Sequence, residues 1–94
     1  MKHENNNDKR KVILFKIIGE IYLKIGYYER SREYHEKIIR ICEKYPKSED
    51  MLLLKIDSLT KLKKKYKSIE CAGELLKINP YNTNALLKLS QYLK

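Results

Sequence analysis

Apolar residues recur along the chain at spacings of three and four, and no stretch alternates apolar and polar residues with a period of two. Spacings of three and four are those of one face of an α-helix, whereas a period of two is typical of a half-buried strand. Only three glycines and two prolines interrupt the pattern. The sequence therefore predicts an all-α protein.

These interruptions divide the pattern into five predicted helices. Gly26 ends the first, because a left-handed residue after a helix is least costly as glycine. Pro46 and Pro80 follow the second and fourth, since proline disfavours helical backbone in the residue before it. The predicted helices run from about Asp8 to Ile25, Tyr28 to Tyr45, Ser48 or Glu49 to Lys63, Tyr66 to Ile78, and Asn82 or Thr83 to the end of the chain. Their short connections favour antiparallel neighbours.

Each helix has an apolar face that we expect to be buried, and Tyr22, Tyr28 and Tyr34 fall at positions expected to pack between helices. The predicted core residues are Leu14, Phe15, Ile18, Tyr22 and Ile25, then Tyr34, Ile38, Ile41 and Cys42, then Leu52, Ile56 and Leu59, and finally Leu86, Leu89 and Leu93. His35 falls on the inner side of the second helix, where a core histidine is expected rather than a ligand. Cys42 and Cys71 are predicted to be buried, reduced thiols, and a disulfide between them is the alternative.

The pattern also repeats. Pro46 and Pro80 are 34 residues apart, and the same offset pairs Ile38 with Ala72 and Leu52 with Leu86. A period of 34 residues is that of the tetratricopeptide repeat, a helix–turn–helix unit. The stretch FKIIGEIYLKIGYYERSREYHEKI carries further similarity, in Phe15, Ile18-Gly19, Tyr22, Gly26, Tyr28 and Ser31. The chain thus resembles the tetratricopeptide repeat family.

The resemblance implies an α-solenoid of antiparallel helix-turn-helix repeats. It consists of two repeats plus a C-terminal capping helix within residues 11–94, after a polar and flexible tail of residues 1–10. Members of the family bind peptides on a concave face formed by the first helix of each pair. The residues at such positions are Lys16, Glu20, Leu23, Lys24, Leu54, Ser58, Lys61, Asn84, Leu87, Lys88 and Gln91, together with Ile13, Met51, Lys55 and Leu62.

The expected function is therefore that of a protein–protein interaction module or adaptor. The expected partner is a peptide or helix with acidic and apolar residues, because lysines flank Leu54 and Leu87 on this face. Self-association is an alternative, since the fifth helix carries more apolar side chains than one neighbouring helix can cover. It would make the chain a homo-oligomer or an assembly subunit.

Net charge adds a third alternative. Twenty-one basic and twelve acidic side chains give a formal charge of +9, and the densest basic run lies in residues 61–67. Lysines beside Tyr66 could bind nucleic-acid phosphates and stack a base. A solvated turn explains the same run and is the favoured interpretation. A/T-rich codons, which encode lysine, isoleucine, asparagine and tyrosine, are an alternative explanation of the charge.

Signals of other functions are missing from the sequence. It has no Gly-rich phosphate loop, no Gly-flanked serine and no HExxH pair, so we expect no enzyme, no catalytic residue and no cofactor. His and Cys spacing matches no metal motif, so no metal site is expected. No apolar run is long enough for a signal peptide or membrane span, which leads us to expect a cytoplasmic protein without a membrane partner.

Overall fold

The computed structural model describes the backbone of residues 6–92 and the side chains of residues 7–91. It contains five helices, α1 (Asn6–Lys24), α2 (Tyr28–Cys42), α3 (Glu49–Lys61), α4 (Lys65–Ile78) and α5 (Thr83–Tyr92). No strand occurs in the described range, so the predicted all-α class is confirmed. Residues 1–5 of the predicted tail, and the predicted core residue Leu93, lie outside the described residues.

The start of α1 differs from the prediction. The helix begins at Asn6, so residues 6–10, assigned to a tail, are helical. Asp8 was expected to cap α1, but it lies inside the helix and accepts a hydrogen bond of 2.6 Å from the Tyr45 hydroxyl. Lys9 Nζ lies 2.8 Å from Asp50 Oδ2 at the start of α3. These contacts join the first turns of α1 to residues far along the chain.

Helices adjacent in sequence pack against each other, and α1 also contacts α3. Connections of three residues join α1 to α2 and α3 to α4, which makes each pair an antiparallel hairpin. The two turns have the same geometry: Gly26 and Lys63 both have positive φ, of 89° and 60°. In each, the next N–H donates to a carbonyl five residues back, Tyr27 to Tyr22 and Lys64 to Leu59.

The starts of α3 and α5 also match each other. Ser48 Oγ accepts from the Met51 N–H at 3.2 Å, and Asn82 Oδ1 accepts from the Ala85 N–H at 3.0 Å. These caps are 34 residues apart, whereas the two turns are 37 apart. The difference arises because α2 and the connection after it are together three residues longer than α4 and its connection.

The predicted alignment of α2 with α4 is therefore wrong by three residues. Counted from the turns, buried Ile38 corresponds to buried Leu75 and not to Ala72, which was the predicted match. Likewise buried Ser31 corresponds to buried Ser68. A single offset of 34 residues does not align α2 with α4.

Two groups of buried side chains form the core. One joins α1, α2 and the start of α3 through Val12, Ile38, Cys42, Tyr45 and Met51. The other joins α3, α4 and α5 through Leu52, Ile56, Leu59, Cys71, Ala72, Leu75 and Ala85. Both cysteines are buried thiols outside any disulfide, as predicted, and burial raises the pKa of Cys71 to about 11.

The buried face of α1 is only in part the predicted one, since Phe15 packs against the core and Tyr22 stacks on Tyr34. Leu14 and Ile25 are 54% and 59% exposed, while Val12 is fully buried and Gly19 lies against His35. Because apolar residues occupy nearly every direction around α1, their spacing does not select one face.

Two further core predictions fail. In α5, Leu86 is 47% exposed and Ala85 is buried in its place. Tyr28, expected to pack between helices, is exposed. By contrast, the rings of Tyr22 and Tyr34 stack at 5.8 Å between α1 and α2, which confirms the role expected for both.

Candidate functional site

A groove of about 360 Å³ lies among α1, α3 and α5. Six of the predicted site residues line it: Lys16, Leu54, Asn84, Leu87, Lys88 and Gln91. They come from three helices that are far apart in sequence, and their meeting depends on the packing of α1 and α5 beside α3. Leu87 is 56% exposed, so the groove offers apolar surface to a ligand.

Three further residues line the groove and were not predicted. Leu53 and Ile56 supply apolar wall, and Asp57 supplies a carboxylate whose Oδ2 lies 3.7 Å from Lys16 Nζ. That Oδ2 is buried and, among the described residues, has no hydrogen-bond partner. Asp57 directly follows the predicted core residue Ile56 and was not among the predicted groove residues.

A shallower cavity of about 270 Å³ continues the groove toward the N-terminal part of α1. Leu53 and Leu54 line both cavities, and Ile13 lines the second, as the sequence predicts for a groove residue. The Lys9–Asp50 ion pair borders this end. Together the two cavities form a continuous surface with an apolar floor of leucine and isoleucine and charged groups along its sides.

Two residues predicted to line the groove are buried and cannot contact a ligand there. Ser58 lies in the core, where its Oγ is 3.3 Å from Nδ1 of His35. Met51 is fully buried, with its sulfur 4.0 Å from Cys42 Sγ. Both face α2 rather than the groove because α3 packs against α2 along that side. These two predictions are wrong.

His35 is buried, as predicted, at the centre of a group of charged side chains. Desolvation lowers the pKa of its imidazole, Lys61 and Lys16 lower it further, and Asp57 and Glu20 oppose the shift. Its Nε2 is buried and has no hydrogen-bond partner among the described residues. The neutral ring is thus the favoured form of this core residue.

The remaining predicted residues lie elsewhere. Leu23 and Lys61 line a separate cavity of about 540 Å³ together with residues of α2. Glu20 is half-buried and its charge acts on His35, while Lys24 is exposed and lies in the last turn of α1. The predicted set is therefore dispersed: six of its fifteen residues line the groove at α5, Leu23, Lys61 and Leu62 line the 540 Å³ cavity, and the others lie in the core, in other cavities or near the surface.

The lysines of residues 61–67 do not line a single cavity. Lys61 and Lys63 line the 540 Å³ cavity, whereas Lys64 and Lys67 line another beside Glu70 and other carboxylates. The run is therefore not one continuous basic surface.

No group of three His, Cys, Asp or Glu side chains able to hold a metal ion occurs among the described residues. None of the helices as described has both the length and the apolar character needed to cross a bilayer.

Comparison with known proteins identifies no similar protein. A scan against protein-family models finds no match, and neither the curated proteins nor the solved structures give one. What the chain does must accordingly be argued from its own residues.

Proposed function

We propose that the chain is a helical-repeat interaction module, similar to tetratricopeptide repeats, that binds a peptide or helix in the groove among α1, α3 and α5 and carries out no catalysis. One observation carries this proposal: six residues chosen for peptide binding line a single groove with exposed apolar surface. They lie on three helices, and the resemblance to tetratricopeptide repeats implies that these positions share one face.

The equivalent turns and caps support the repeat part of the proposal. Gly26 and Lys63 occupy the same position in two hairpins, and Ser48 and Asn82 cap the helices that follow them. Stacked units of this kind bury a core shared with their neighbours. The contact of α1 with α3, in addition to the contacts between consecutive helices, agrees with such stacking.

The groove favours a partner with acidic and apolar residues. Lys16 and Lys88 stand beside Leu54 and Leu87, so a carboxylate and an apolar side chain could be bound together. Asp57 partly neutralises Lys16, and an incoming carboxylate would compete with it for the ammonium group.

Selection of peptides from a displayed random library, followed by titration, tests the proposal. We expect selected peptides to be enriched in Asp or Glu beside Leu or Ile, and their affinity to fall with added salt. K16E and K88E should each weaken binding about tenfold or more, because each replaces a charge-assisted contact with repulsion. K77E, which places the same charge change in the last turn of α4, is the matched control. Equal affinity of K16E, K88E and K77E would reject the groove as the binding site.

Self-association through α5 is a second candidate function. Leu86 is 47% exposed and does not line the groove, which leaves an apolar side chain of α5 available to another molecule. Light scattering over a range of protein concentrations would test it. L86Q should reduce any association, whereas L87Q should mainly affect peptide binding. A strict monomer at high concentration would exclude this function.

A further inference from the structure

The 540 Å³ cavity lies on a different part of the molecule from the peptide groove. One side is formed by a single face of α2, on which Tyr28, Arg32 and His35 follow one another at helical spacing. The turn between α3 and α4 forms the other side with Lys61, Leu62 and Lys63. The cavity therefore joins the beginning of α2 to the end of α3.

The charged side chains that line this cavity have one sign, although the charges of Asp57 and Glu20 also act on His35 in its wall. Arg32, Lys61 and Lys63 line it, and no Asp or Glu does. Within the described part of the chain, none of these three cations forms an ion pair. Like charges held around one space repel each other, and an anion placed among them would be attracted by all three.

The N-terminus of one helix lies beside the cavity. Tyr28, the first residue of α2, lines the cavity, and the preceding residue makes no side-chain hydrogen bond to cap the helix. Glu29, in the same first turn, does not line the cavity. Unpaired N–H groups at helix N-termini carry partial positive charge and favour anions.

The backbone at Lys63 is unusual for a lysine. Its φ of 60° is the left-handed conformation that the equivalent residue of the first hairpin, Gly26, adopts without strain. For a residue with a side chain this conformation is strained. Glycine would make a more stable turn at this position. The residue present is instead a lysine that lines the cavity.

We propose that this cavity binds a small phosphorylated molecule, with Arg32, Lys61 and Lys63 contacting phosphate oxygens and Tyr28 contacting the organic part. A phosphate monoester carries about −1.5 to −2 charges at pH 7 and three acceptor oxygens, which matches three cationic donors better than a single carboxylate does. A guanidinium can also bind two phosphate oxygens at once.

The size and the apolar lining of the cavity indicate a small ligand. Its volume lies within the range of roughly 300–1,000 Å³ that is usual for small-molecule sites. The exposed ring of Tyr28 and the side chains of Leu23 and Leu62 provide a surface for an aromatic or apolar group attached to the phosphate. A mononucleotide has this combination of parts.

Calorimetric titration of the full chain with ADP, inorganic pyrophosphate and adenosine tests the proposal. We expect saturable binding of ADP, weaker saturable binding of pyrophosphate, and no binding of adenosine at the same concentrations. R32Q and K61Q should each weaken ADP binding about tenfold, the loss expected when one charge-assisted contact is removed. K77Q, which removes one positive charge away from the cavity, should leave it unchanged.

K63G separates loss of the cation from loss of structure. Glycine suits the left-handed backbone, so this variant should be at least as stable as the original chain while its affinity for ADP falls about tenfold. Equal affinities of R32Q, K61Q and K77Q would overturn the proposal, because binding would then depend on total charge alone. Tighter binding of a single-stranded RNA than of ADP, through the same three residues, would also overturn it in favour of a nucleic-acid surface.

The peptide titrations are independent of this result. The peptide variants K16E and K88E alter the groove among α1, α3 and α5, and neither residue lines the 540 Å³ cavity. Failure of ADP binding would leave the proposed peptide groove standing, and failure of peptide binding would leave the phosphate site standing.

Discussion

Nδ1 of His35 lies 3.3 Å from the hydroxyl oxygen of Ser58, and both side chains are buried where α2 packs against α3. Gly19 of α1 approaches the other side of the ring: a Cβ on that residue would stand 3.2 Å from Nε2. The imidazole thus sits where three helices meet. Its protonation state must affect how these helices pack.

Acidification should destabilise the protein through His35. Burial holds the pKa of this imidazole below its ordinary value of 6.5, against the opposing charges of Asp57 and Glu20. As the pH falls below 6.5, the unfolded chain takes up a proton that the folded chain still excludes. The free energy of unfolding therefore decreases, by at most about 1.4 kcal/mol per pH unit.

Urea denaturation at pH 7.5 and 5.5 measures this decrease. The H35Q variant cannot take up the proton, so its stability should change less between the two pH values than that of the original chain. A wild-type stability that stays constant over this range would contradict the lowered pKa.

The two left-handed turn residues should respond oppositely to substitution. G26A places a side chain on backbone of φ 89°, with no atom within 4 Å of the new Cβ, so its cost is that of the backbone alone, about 1–2 kcal/mol. K63G relieves the same strain but adds the chain entropy of glycine, for a net gain of about 0.5–1 kcal/mol. Thermal and urea denaturation would measure both. A loss of stability in K63G would show that the Lys63 side chain makes a stabilising contact.

The local signals in the sequence predict the helices well. Gly26, Pro46 and Pro80 mark helix ends that the structure confirms within a few residues, because they act through local backbone geometry. The caps at Ser48 and Asn82 follow from the same kind of short-range chemistry. Helix existence and type therefore required no knowledge of the tertiary structure.

Which way each helix faces could not be predicted as well. In α1, apolar residues surround the helix, and contacts such as Gly19 with His35 decide that Leu14 and Ile25 face outward. The groove residues of α5 were placed correctly, whereas Ser58 and Met51 of α3 were not, because α3 packs on helices at both sides. The spacing of apolar residues alone does not show which side of a helix packs against which neighbouring helix.

The two N-caps should make unequal contributions to stability. S48A removes the acceptor for the Met51 N–H at the start of α3, and N82A removes the acceptor for the Ala85 N–H at the start of α5. Each should reduce the free energy of unfolding by about 1 kcal/mol. N82A should cost more, because Asn82 also donates to Glu49 at 2.9 Å and thereby joins the α4–α5 connection to α3. Urea denaturation compares the two, and S48D, which keeps an acceptor, serves as a control. A cost above 3 kcal/mol in S48A would indicate that more than a cap is lost.

Neutralising Asp57 should strengthen binding of an acidic peptide. Its carboxylate lies 3.7 Å from Lys16 Nζ within the groove, where it both competes for the ammonium group and repels an incoming carboxylate. D57N should therefore raise the affinity of a selected glutamate-containing peptide several-fold. It should change stability by no more than about 1 kcal/mol, since a partly exposed ion pair contributes little. E70Q removes the same charge outside the groove and is the matched control. Titration of both variants with the peptide measures the effect on affinity. Weaker binding by D57N, with binding by E70Q unchanged, would mean that Asp57 itself binds the partner and that the groove prefers a basic ligand.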